Sequence, residues 1–105
     1  MLSDEFIHRI DKFKVSAEEL DNFVTRVSET HRAINALDGC IRNEVLLKTA
    51  GDGEYNVVTH VVWRDQICLD AAILHMKEFH DRRGGKPALP AGAIEDRAVY
   101  RSVSV

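Results

Sequence analysis

The chain lacks the features that mark several large classes of protein. Cysteine is scarce: Cys40 and Cys68 are the only two in 105 residues, with no CxxC pair, which argues against a zinc knuckle or a redox dithiol. Both are expected to be free, buried thiols, because unpaired cysteine is among the most buried residue types. Basic charge is not in excess. With 14 Lys and Arg against 17 Asp and Glu, the net charge is -3, which removes the electrostatic term that drives binding to nucleic-acid backbones. No window approaches the roughly 18 apolar residues of a membrane span. The start MLSDEFIHRI has no long apolar run behind a basic stretch, so a cytoplasmic protein with neither nucleic-acid nor membrane partners is expected. A nucleophile elbow, a phosphate loop, a Rossmann glycine pattern and a paired acidic site are also missing. Flavin, nicotinamide and nucleotide are therefore not expected, and no cofactor is assigned.

What is present suits one domain over residues 1–105: 45% of the chain is hydrophobic and 30% charged, enough for one small core that a partner subunit would strengthen. Phe6 to Val15 carries β-rich alternation on both parities and reads as a strand covered on both faces. Ser16 and Glu19 have capping-box spacing, and Leu20, Phe23, Val24, Val27, His31, Ile34 and Leu37 recur at helical spacing until Asp38-Gly39 stops the helix. A strand from Cys40 to Lys48, a hairpin loop around Gly51 and Gly53, and a strand from Tyr55 to Trp63 follow. Asp65 is the candidate N-cap of a second helix, with the stripe Cys68, Ala71, Ala72, His75 and Phe79. Arg82 to Gly85 closes that helix, Lys86 to Ala93 forms a loop that wraps back across the domain, and Ala98 to Val103 is the last strand. The order βαββαβ predicts an α+β, ferredoxin-like fold: a four-stranded antiparallel sheet with both helices on one face. The uncovered face predicts a homodimer packed sheet to sheet.

The stretches LDGCIRNEVLL, DGEYNVVTHVVW and VVWRDQICLDAAILH resemble the antibiotic biosynthesis monooxygenase family of dimeric α/β-barrel proteins. The resemblance runs over roughly residues 6 to 101. It implies the same fold and one of several activities: cofactor-independent oxidation of anthrones and quinols, haem degradation, or none assigned. Anthrone-oxidising members carry an asparagine where this chain has Thr59. Haem-degrading members carry an asparagine where it has His8 and a tryptophan where it has Ala72, so their triad is not reproduced.

The candidate site residues follow from parity and periodicity. Trp63 is either the wall that stacks a flat substrate or a large core residue at a strand end. Thr59 shares its face, since alternate residues of a strand point the same way. His75 on the second helix is the candidate general base, because a neutral imidazole can take the proton of a phenol or quinol and leave an anion that reacts with O2. His8 would meet it in one cavity if Phe6, His8, Ile10 and Lys12 form the helix-facing side. His31, Phe79 and Ala72 complete the expected substrate wall. His60 should face the dimer interface, and His80 should be exposed or at the cavity mouth. A metal site from His8, His31 and His75 is disfavoured by the absence of i, i+4 histidine pairs. Arg82, Arg83 and Lys86 read either as a solvated helix end or as a gate for an acidic substrate, with Pro87 to Gly92 as its lid.

These readings give an expected monooxygenase acting on a small aromatic, phenol, quinol or anthrone. The alternatives are a non-catalytic dimeric module for a small apolar ligand or stress response, and then a haem-binding variant.

Overall fold

A computed structural model describes residues 6–105. Its elements are β1 (Ile7–Lys14), α1 (Leu20–Asn35), β2 (Cys40–Leu47), β3 (Val57–Trp63), α2 (Gln66–Arg82) and β4 (Ile94–Arg101). The strands form one antiparallel sheet in the order β2-β3-β1-β4. This is the ferredoxin-like α+β fold the sequence pattern predicts. Among the described residues no helix is long and apolar enough to cross a membrane.

The register decides which side chains meet the helices. Asp11 lies opposite Thr59 on one side and Arg97 on the other, and Phe13 lies opposite Val57 and Glu95. Opposed residues of an antiparallel pair share a face. Arg9, Asp11 and Phe13 therefore point toward the helices together with Val57, Thr59, Val61 and Trp63. His8, Ile10 and Lys12 point the other way.

The core lies between sheet and helices in two clusters. At one end Phe13, Val15, Phe23 and Val57 pack with Val27 and Leu89, the two rings 5.0 Å apart. At the other, Val61, Trp63, Cys68, Leu69 and Ala72 pack with Ile34 and Leu37. Burying each of the large side chains stabilises the fold by about 1.5–3 kcal/mol.

Several local expectations are corrected. The Ser16–Glu19 capping box does not form: Glu19 N–H donates to the Ser16 carbonyl at 3.1 Å, closing a turn, and α1 starts after it with no side-chain cap. That helix ends at Asn35, short of Leu37. Gly39 follows at φ +81°, where a methyl group would also collide with the Cys68 side chain, so both backbone and packing require glycine. Cys40 is half-buried rather than buried, and both thiols are free. β4 begins at Ile94, four residues earlier than its apolar pattern suggests, because on an edge strand Glu95 and Arg97 are held by ion pairs rather than by burial.

The largest correction concerns α2. Its N-cap is Asp65, as expected, with Oδ1 accepting the Cys68 N–H at 2.8 Å; that bond is the main cause holding the Asp65 carboxyl below its usual range. Its buried face, however, is Cys68, Leu69 and Ala72. His75 is exposed and Phe79 only half-buried, with the Arg83 guanidinium 4.2 Å from the Phe79 ring centre. Apolar residues lie on several sides of this helix, including the exposed Ile67 and Leu74, so periodicity alone could not fix the inward face.

Candidate functional site

Between the two core clusters the helices and the sheet leave a cavity of about 430 Å³. β3 supplies Thr59, Val61 and Trp63 as its floor, and α2 supplies Leu69, Ala72 and Met76 as one wall. The other wall is α1, where Phe23, Val27, His31 and Ile34 fall on one face by their spacing of three and four. Pro87, Ala88 and Leu89 of the loop before β4 close one side. This is the segment expected to act as a lid.

Polar groups enter the apolar chamber from two directions. At the sheet, Asp11 is almost fully buried and accepts from Arg9 Nε and Arg97 Nη1, both at 2.9 Å; Arg97 also holds Glu95 at 2.8 Å. A buried carboxylate of this kind is tolerated only because it is paired on both oxygens.

At α1, His31 Nδ1 lies 2.6 Å from Asn43 Oδ1 on β2. The Asn43 amide nitrogen donates to the His31 carbonyl at 2.6 Å and to Asn35 Oδ1 at 3.4 Å, which makes Oδ1 the acceptor end of that amide. Nδ1 therefore carries the proton and Nε2 keeps its lone pair. Burial lowers the His31 pKa, opposed by the Asn43 hydrogen bond and the negative charge of Asp11. The ring on the cavity wall is thus a neutral base.

The expected site residues divide by position. His31, Thr59, Trp63 and Ala72 line the cavity together. His75 does not; it lines a second pocket of about 420 Å³ with Leu37, Asp38, Arg64, Cys68 and Ala72, where the start of α2 meets the end of the α1–β2 connection. His8 lies on the opposite face of the sheet, its Nδ1 2.9 Å from His60 Nε2 and the rings stacked with centroids 5.2 Å apart. His8 and His75 therefore do not meet, and Phe79 lies outside the cavity lining. His80 does line it, half-buried, with its pKa lowered by burial and by Lys86 and Arg83.

Sequence reasoning missed Arg9, Asp11, Asn43, Arg97 and Arg26. Arg9 and Asp11 carried a signal, since they alternate with Phe13, and Arg26 flanks the α1 stripe. Asn43 and Arg97 reach the site only through strand register, which the sequence does not display.

The family model for antibiotic biosynthesis monooxygenases matches residues 6–82. The chain belongs to the antibiotic biosynthesis monooxygenase family. A search of the curated proteins finds no match. Among solved structures, the chain is similar to the cofactor-independent oxygenase SnoaB of Streptomyces nogalater, at 14% identity and TM-score 0.66 over 96% of each chain. It is similar to the haem degrader MhuD of Mycobacterium tuberculosis, at 15% identity and TM-score 0.68, covering 94% of this chain and 97% of that one. A conserved protein of Methanosarcina mazei Go1 is similar at 21% identity and TM-score 0.68 over 93% of each chain. At such identities these similarities establish the monooxygenase-family fold.

Proposed function

We propose that the protein oxidises a small phenol, quinol or anthrone with O2 in the cavity between sheet and helices, with His31 as the general base. The observation that carries this reading is the neutral His31 imidazole, oriented by Asn43 on the wall of the chamber that Trp63 also lines. Its Nε2 takes the proton of the substrate hydroxyl or of the anthrone methylene. The resulting anion gives one electron to O2, the radical pair joins at a ring carbon that still bears a hydrogen, and the peroxide anion takes the proton back from the His31 imidazolium to form a hydroperoxide. Loss of water then leaves a carbonyl, with one oxygen atom in the product and one in the water. Trp63 and Thr59 position the ring, and the apolar walls keep competing water out.

Family membership and the likeness to SnoaB support this chemistry. The uncovered sheet face, with Leu46, Tyr100 and Ile94 exposed on it, supports a sheet-to-sheet homodimer.

The test is oxygen uptake across a panel of quinols and anthrones. His31→Gln should lower kcat by about a hundredfold, the lower bound of what a positioned base contributes, while His75→Ala stays within twofold. An equal loss in His75→Ala would move the base out of the cavity. No uptake with any substrate would leave the non-catalytic ligand-binding reading, and a Soret shift on titration with haem would favour the haem-binding one.

A further inference from the structure

Five basic side chains line the cavity, Arg9, Arg26, Lys77, Lys86 and Arg97, against two acidic ones, Asp11 and Asp81. The imbalance is not spread evenly. Arg9 and Arg97 hold Asp11, Arg97 also holds Glu95, and Lys77 holds Asp81 at 3.0 Å. Arg26 has no such partner among the described residues. Its Nε is shut off from solvent and has no acceptor among the described residues. The side chain as a whole is half-buried, and leaving its Nε donor out of reach of water without an acceptor is costly. It sits on the α1 wall one turn before Thr30 and close to His31, facing the same chamber. Lys86, on the loop across the cavity, adds a second positive charge without an ion pair among the described residues.

We infer that the ring held in this cavity carries an anionic group, a carboxylate or an equally acidic oxygen, and that Arg26 binds it. The inference rests on the reading of the cavity as a site for a flat aromatic and names the substrate class within it. Guanidinium suits the task because its planar fork meets two oxygens at once and stays charged at any working pH. The arrangement orients as well as attracts: an acid group fixed at Arg26 sets which part of the ring lies against His31.

The experiment compares 2-naphthoate with 2-naphthamide, which share size and shape and differ in charge, under nitrogen so that no oxidation intervenes. Binding is followed by the resonance of the Trp63 indole N–H, the only one in the chain. Naphthoate should bind at least about tenfold more tightly than the amide at low salt, the order expected of a charge-assisted hydrogen bond. In Arg26→Gln that preference should fall below about threefold while the amide affinity changes less than twofold, and Arg26→Lys should keep part of it. Equal affinity of the two probes for the native protein, or an equal loss of both in Arg26→Gln, would overturn the inference while leaving the oxygenase reading intact. Failure of both probes to perturb Trp63 would overturn the two together.

Discussion

The two faces of one sheet differ more than any two elements of this protein. Along β1 the residues Arg9, Asp11 and Phe13 turn to the helices, and His8, Ile10 and Lys12 turn away. On the helix side, charge is buried and paired across strands, and a single imidazole, His31, is fixed by an amide. On the other side His8 and His60 stack on each other beside apolar residues that no other element among the described residues covers. A step of one residue along a strand thus separates a chamber suited to chemistry from a surface suited to a partner. The same residue type serves differently on the two faces because its neighbours differ, not because its own chemistry does.

The largest effect expected from breaking this contrast comes from Asp11→Asn. It leaves Arg9 and Arg97 around a neutral amide, with both guanidinium side chains about 30% exposed. Removing one partner of a buried ionic cluster costs about 3–5 kcal/mol, and the partial exposure of the arginines puts this case near the low end, about 3 kcal/mol. Lys12→Gln, the next residue on the opposite face, should change stability by no more than about 0.5 kcal/mol. Urea unfolding of both variants measures the difference. If Asp11→Asn costs under about 1 kcal/mol, the cluster is solvated and the helix-side face is not the electrostatically committed one.

Much of the fold was legible because it is written locally. Asp65, Gly39 and the glycines of the β2–β3 hairpin mark element ends by conformation and capping, and strand parity groups Val57, Thr59, Val61 and Trp63 on one face. The site was legible in part. Trp63, Thr59 and His31 belong to elements whose parity or stripe groups them together, and Ala72 lies where the expected and the observed faces of α2 overlap. His8 was not, because β1 has apolar or aromatic residues on both parities, and the choice between them depends on pairing with β3 and β4. His75 failed for a related reason: on α2, Leu69, Ile73 and Met76 compete with Ala71, Leu74 and Phe79, and only packing against Trp63 selects the first set. Arg97 and Asn43 lie far from β1 and α1 in sequence, and their roles exist only through tertiary contact.

The contrast sharpens where titration is concerned. His31 and His60 both have pKa values lowered by burial, yet only His31 lines the cavity. If it is the base, kcat/KM should hold as pH falls to the ordinary histidine value near 6.5 and decline only below it, since activity is lost when Nε2 is protonated. Asn43→Ala removes the hydrogen bond that favours the charged ring, so the acid limb should move to still lower pH. At the same time kcat should fall by about tenfold, because nothing then fixes the proton on Nδ1. His60→Gln should leave the limb where it was. A limb that shifts with His60→Gln and not with Asn43→Ala would reverse the roles of the two faces.

The smallest effect concerns the open face and depends on a second copy covering it. His60 is held below its usual pKa by burial first, then by His8 and Arg42, with Glu44 acting in the opposite sense. Among the described residues Lys12 and Lys14 on β1 and Asp96 on β4 lie on the same face as the pair. Protonation of His60 adds positive charge to a surface that would meet its own image, and burial in a dimer disfavours the charged form further. The dimer should therefore bind fewer protons than the separated chains. Its dissociation constant should rise as pH falls from about 7.5 to 5.5 across the histidine range, by no more than about tenfold, since one pKa unit of differential interaction corresponds to a factor of ten. Sedimentation equilibrium of the native chain and of His60→Gln measures this. In the variant the pH dependence should flatten, because the ring whose charged form the contact disfavours is gone. A pH dependence equally steep in both proteins would mean that the pair lies away from the contact between copies, and the open face would then need a different occupant.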